Sequence, residues 1–125
     1  MRLFFAIIIA MNSAFTLTSG AEFSFKERTF KFPDTQQGEL LKHDFHFTNT
    51  GDEPLIISNY KVACTCTKIT FPTEPILPGK SGVIHLTFDT TSAYDYQHRK
   101  IQIFSNAKKN PTVISFKVIV IPHNE

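Results

Sequence analysis

Two cysteines, Cys64 and Cys66, stand one threonine apart in the run VACTCTKITF, and the chain has no third. A pair at this spacing can form a bridge, hold a soft metal ion, exchange disulfides with another thiol pair, or fill space. In an extended strand, residues two apart lie about 6.6 Å from one another and point to the same face. A disulfide needs its Cβ atoms about 3.8 Å apart. An extended Cys64-Thr65-Cys66 therefore cannot close, and closure requires a sharp bend at the middle residue. Glycine would ease that bend, whereas the β-branched Thr65 resists it. Two thiolates on one side of a strand can both reach one soft ion through bonds of about 2.3 Å. Zinc then wants about two further ligands, and copper(I) fewer. His43, His46, His85, His98 and His123 are available, but none stands at ligand spacing to the cysteines. His43 and His46 are three apart on an expected strand, hence on opposite faces. Cys64 and Cys66 are thus expected first as a structural pair, free or bridged, and second as a redox or metal site.

Other polar positions read as turn chemistry. Asp89 in FDT is expected to end a strand and accept a nearby backbone N–H. Asn49 in NTG forms a turn in which Gly51 is expected to supply a positive φ. Pro75 and Pro78 stiffen a loop that ends at Gly79. Tyr94 and Tyr96 flank Asp95, and their rings are expected to pack on a sheet rather than to form an exposed patch. The chain has no Gly-x-Ser-x-Gly, no glycine-rich phosphate loop and no His-Glu-x-x-His. No enzymatic activity and no cofactor are expected.

The elements that must carry these residues are strands. LLKHDFHFTN sends Leu41, Phe45 and Phe47 to one face and Lys42, Asp44 and His46 to the other. VIHLTFDT does the same with Ile84, Leu86 and Phe88, and HRKIQIFS with Ile101 and Ile103. EFSFKERTFKF predicts one or two short strands that end at Pro33-Asp34, and QQGE reads as a turn. TVISFKVIVI is apolar on both parities, which predicts burial on both faces or an open edge that pairs with a neighbour. About seven short strands with turn residues between them predict an immunoglobulin-like β-sandwich. Cys64 and Cys66 are too close in sequence to bridge its two sheets.

Ahead of this domain, Met1-Arg2 and the apolar run Leu3 to Met11 precede the small residues Ser19, Gly20 and Ala21. This predicts a signal peptide over residues 1–20, cleaved after Gly20 or Ala21, and a sandwich domain over 21–125. The run is well short of the roughly 20 residues a membrane helix needs, so no transmembrane anchor is expected after cleavage. Without Arg2, 12 Lys and Arg face 11 Asp and Glu. That near-neutral balance gives no electrostatic reason for nucleic acid as a partner. Ten of the 13 phenylalanines fall in the remaining domain, enough for a core without tryptophan.

The order of these signals resembles a bacterial family known as domain of unknown function 1573, from about Phe30 to Ile121. The motif words are Asn49-Thr50-Gly51, Cys64 and Cys66 with Thr67, Pro75 to Gly79, Phe88-Asp89-Thr90 and Ser105-Asn106. The resemblance implies an exported single-domain sandwich related to the ASPM/SPD-2/Hydin and major-sperm-protein class. It implies no activity. The family usually reads Ser-Cys-Gly-Cys-Thr, and this chain has Thr65 in place of the glycine. The expected function is a periplasmic or secreted, non-enzymatic module that binds another protein through an edge strand or loops. The alternative is a thiol site at Cys64 and Cys66 that binds a soft metal ion or exchanges disulfides.

Overall fold

The computed structural model describes residues 20–123, and these contain nine strands and no helix. The strands are β1 (Phe23–Phe25), β2 (Thr29–Lys31), β3 (Thr35–Gln36), β4 (Leu40–Asn49), β5 (Ile57–Val62), β6 (Thr67–Thr70), β7 (Ser81–Asp89), β8 (Asp95–Ser105) and β9 (Thr112–Ile121). One sheet has the order β1-β4-β7-β6, and the other β2-β9-β8-β5 with β3 also on β9. The expected signal segment lies, up to residue 19, outside the described residues.

Alternation decides which face of each strand is inside. Phe45, Phe47, Ile84, Leu86 and Phe88 from the first sheet meet Ile101, Ile103, Ile114, Phe116, Val118 and Val120 from the second, and all are buried. Phe88 and Phe116 join the layers with ring centroids 4.9 Å apart. Each such side chain contributes about 1.5–3 kcal/mol when fully buried. His43 and His46 fall on opposite faces, as expected. His43 turns toward the core side and stacks on Phe30 at 3.6 Å, while His46 is exposed.

Three expectations need correction. First, β9 is not an open edge. It pairs antiparallel with β8 on one side and parallel with β2 and β3 on the other. Its outer face is not fully buried either, since Val113, Ile119 and Ile121 are 39–40 % exposed. Second, a strand follows Pro33-Asp34 where none is expected. The two short amino-terminal strands do end ahead of Pro33, but the chain, having left the first sheet after Phe25 and entered the second at Thr29, resumes as β3 along the free side of β9. Third, Tyr94 and Tyr96 do not pack on the sheet; they are 61 % and 57 % exposed. Strand β8 starts at Asp95, whose φ of 62° turns the chain between the two rings.

Candidate functional site

The motif residues gather at two opposite ends of the sandwich. β4 and β7 pair from Leu40↔Asp89 at one end to Thr48↔Ser81 at the other, a span of roughly 27 Å at strand rise.

The first end collects Asn49, Gly51, Pro75, Pro78, Gly79, Ser105 and Asn106. Asn49 is fully buried, and its side chain does more than form a local turn. Its Oδ1 accepts from the N–H of Glu22 (3.2 Å) and of Gly51 (3.0 Å). Its Nδ2 donates to the carbonyls of Glu53 (2.7 Å) and Ile76 (2.9 Å). A single amide thus ties three segments with all its hydrogen-bonding capacity used. Gly51 does not have the positive φ expected of it. It is needed for close approach, since a Cβ there would lie 2.8 Å from both Ala21 Cα and Glu22 N. Gly79 does have a positive φ, 78°. Leu77-Pro78-Gly79-Lys80 forms a turn closed by the Lys80 N–H donating to Leu77 O at 2.9 Å, with proline and glycine where a type II turn wants them. Pro75 precedes Ile76, which exchanges two backbone bonds of 2.8 Å with Leu55. Asn106 accepts from Ile56 N–H at 2.8 Å and donates to Pro54 O at 2.9 Å. Ser105 Oγ accepts from Ala107 N–H at 3.0 Å. All these contacts are internal, and none aims a polar group at an empty space.

The second end collects Cys64, Cys66, Thr67, Phe88 and Asp89. Cys64 and Cys66 are joined in a disulfide with Cα atoms 5.2 Å apart. The run is not extended: the chain bends at Cys64 and turns through Thr65 and Cys66 as it crosses from the second sheet to the first. The Thr67 N–H donates to Cys64 O at 3.1 Å and closes that turn. Cys66 O accepts from Asp89 N–H at 2.9 Å and ties the turn to the end of β7. Thr65 makes the bend without a positive φ, so its branched side chain is no obstacle to the bridge. The Cys66 N–H lies 3.1 Å from Cys64 Sγ and donates to it. Thr67 and Phe88 are buried partners across the β6–β7 ladder.

Asp89 behaves as a turn residue should. Its Oδ1 accepts from Thr91 Oγ1 at 2.6 Å and from Thr91 N–H at 3.0 Å. The Thr91 hydroxyl first and then its amide hold the Asp89 carboxyl below its ordinary value, against an opposing effect of burial, with the nearby Lys68 ammonium as the least contribution. The Asp-x-Thr spacing was the available signal for this contact. Thr90, which the sequence marks only as the last residue of FDT, is fully buried, and its hydroxyl donates to Glu39 O at 2.6 Å.

Both half-buried cysteines line a groove of about 450 Å³ together with Leu40, Lys68, Asp89 and Thr91. A larger hollow of about 620 Å³ lies beside β4, among Lys26, Glu27, Lys42 and Asp44. Its His43 is tied to Glu27 at 2.7 Å, and no group of convergent donors forms there. Among the described residues, no three or more His, Cys, Asp and Glu side chains are placed to hold a metal ion.

The bridge has little to hold together. It closes a loop of only three residues, for which chain entropy gives at most about 1.6 kcal/mol, roughly half the value for a 15-residue loop. Backbone bonds already close the same turn.

A family model described as protein of unknown function (DUF1573) matches residues 23–120. No curated protein matches the chain. Among solved structures, a protein of unknown function from Porphyromonas gingivalis W83 superposes with a TM-score of 0.70 at 18 % identity, over 85 % of this chain and 50 % of its own. The PapD-like domain 7 of human CEP192 gives 0.64 at 10 % identity, over 84 % and 89 %. The VesB protease of Vibrio cholerae gives 0.59 at 8 % identity, over 81 % and 31 %. The chain thus spans half of the Porphyromonas protein and about a third of the protease. At these identities the likeness is one of fold.

Proposed function

The chain belongs to the DUF1573 family, and from that premise we propose that it is an exported, non-enzymatic β-sandwich module that binds another protein of the envelope or secreted space. The observation that carries this reading is an apolar patch on the outer face of the second sheet. Tyr96 faces Ile119 across the β8–β9 ladder. Ile121 follows two residues later on the same face of β9, and Tyr94 stands just ahead of β8. The four are 61 % (Tyr94), 57 % (Tyr96), 40 % (Ile119) and 39 % (Ile121) exposed. Isolated apolar residues on a surface are ordinary, but tyrosines grouped with isoleucines are the composition of a protein contact.

Export rests on the amino-terminal sequence. Ala21 is fully buried, and its carbonyl accepts from Lys108 N–H at 3.2 Å. Cleavage after Gly20 keeps that contact and is the cut we expect. Amino-terminal sequencing of the envelope or secreted fraction should begin at Ala21; a full-length chain confined to the cytoplasm removes export from the reading.

Binding is tested with a tagged chain and its Tyr96→Asp, Ile119→Asp variant, purified from the envelope fraction. Wild type should retain a partner that the variant loses by about tenfold or more, as expected when aromatic anchors are replaced by charge. Equal recovery from both, with the variant folded, removes the patch as the binding surface.

A further inference from the structure

We propose that the Cys64–Cys66 disulfide is an exchange site, which accepts two electrons from a polypeptide that presents a pair of reduced cysteines in the adjoining groove. This goes beyond protein binding and stands apart from the Tyr96 patch.

Three observations carry it. The bridge spans two residues of a turn that backbone bonds already close, so the fold does not depend on it. Both cysteines are half-buried residues that line an open groove of about 450 Å³, with Cys66 also packing against the edge of the core. One of them has a donor in place: the Cys66 N–H reaches Cys64 Sγ at 3.1 Å. A sulfur that already accepts an N–H leaves more readily as thiolate, since hydrogen bonding to the charged form lowers its pKa. The Lys68 ammonium on the groove wall favours the same negative charge, while Asp89 beside it is held by Thr91.

The step follows from that asymmetry. A thiolate of the substrate attacks Cys66 Sγ, the bond between the two sulfurs breaks, and Cys64 leaves as thiolate and takes a proton from water. The substrate's second thiolate then attacks its own sulfur in the mixed disulfide and releases Cys66. The substrate is oxidised to a disulfide, and this chain is left with two thiols.

The test uses the purified chain with reduced glutathione as probe, followed by alkylation and mass measurement. In native buffer the bridge should open at a rate within about tenfold of that in denaturant, because access limits reaction at a structural disulfide. The reduced chain should keep its β-sheet circular dichroism. A native rate more than tenfold slower than the denatured rate overturns the proposal, and so does unfolding on reduction. Of the single variants, Cys64→Ser should accumulate a glutathione adduct on Cys66 from glutathione disulfide. Should that variant not fold, the wild-type rates alone decide. The Tyr96→Asp, Ile119→Asp variant should open at the wild-type rate, so loss of partner binding and loss of exchange remain separate results.

Discussion

The two ends of this sandwich hold motif residues for opposite reasons. At the Asn49 end, each motif residue is accounted for by an internal contact: a four-bond amide, a glycine pressed against Ala21, a turn closed at Lys80. At the Cys64 end, Thr67 and Phe88 are buried in the fold, but the backbone turn is closed without the sulfurs, and both cysteines and Asp89 line a groove. A buried polar network is costly to disturb because its partners stay behind, unsatisfied. A half-buried bridge across three residues is cheap to remove. The first end explains how the fold is specified; the second has residues the fold does not require.

The contrast is open to measurement. Its largest expected effect is at Asn49. Asn49→Ala leaves the Glu53 carbonyl and the Glu22 and Gly51 amides without their side-chain partner, and the Ile76 carbonyl with Leu55 N–H alone, in a part-buried setting, and should destabilise the chain by about 3 kcal/mol. Urea unfolding reads this as a lower midpoint. A loss below about 1 kcal/mol would make the Asn49 end as dispensable as the other. Gly51→Ala should act in the same direction, since the added methyl has to displace backbone rather than a flexible side chain.

The Cys64→Ser, Cys66→Ser double variant comes next. Its loss should stay within about 1.6 kcal/mol, the ceiling that a three-residue loop sets. The same urea titration checks it, and unfolding of this variant would erase the difference between the ends. Lys68→Glu follows, with an effect on rate rather than on stability. It replaces a cation on the groove wall by an anion, so glutathione thiolate should open the bridge about threefold to tenfold more slowly at low salt, with the gap closing as salt is added.

How far the sequence reveals this arrangement differs between the layers of the problem. The core faces of β4, β7 and β8 are legible because alternation is a local property of each strand, and Phe45, Ile84, Leu86 and Ile101 fall where it puts them. Strand β9 is not, because an apolar run on both parities has the same look at a sheet centre and at an edge. Its neighbours β2 and β3 pair with it across about 85 residues of sequence. Gly51 was readable as necessary but not as to cause, since the Ala21 backbone that crowds it is brought there by folding. The bridge was undecided for a related reason. A threonine resists the bend when considered alone, yet bonds from Thr67 and Asp89, on either side in space, hold the turn. Tyr96 is exposed because it falls on the outer face of β8 opposite Ile119, and Tyr94 stands ahead of a left-handed Asp95, a conformation that aspartate tolerates and composition does not announce.

The smallest expected effect concerns pH and sharpens the picture of the groove. Asp89 has its carboxyl held below 3.8, mainly by the Thr91 hydroxyl. The unfolded chain therefore binds a proton on Asp89 at a higher pH than the folded chain does, and folding is favoured by the ionised form. That contribution is complete above the unfolded value near 3.8 and is lost as pH falls through the lower folded value. Because Asp89 is exposed, the effect on stability is slight, and the direct observable is the carboxyl itself. A carboxyl-carbon NMR titration of wild type should place Asp89 below the ordinary range, and Thr91→Ala should move it up toward 3.8, since the variant keeps the backbone donor but loses the stronger hydroxyl one. With the carboxylate held by the residue 91 amide alone, it is freer to pair with Lys68, and glutathione should then open the bridge more slowly than in wild type at neutral pH. An unchanged Asp89 titration in Thr91→Ala would mean that the threonine does not hold the carboxylate, and that the groove's charges are arranged otherwise than the bonds between Asp89 and Thr91 imply.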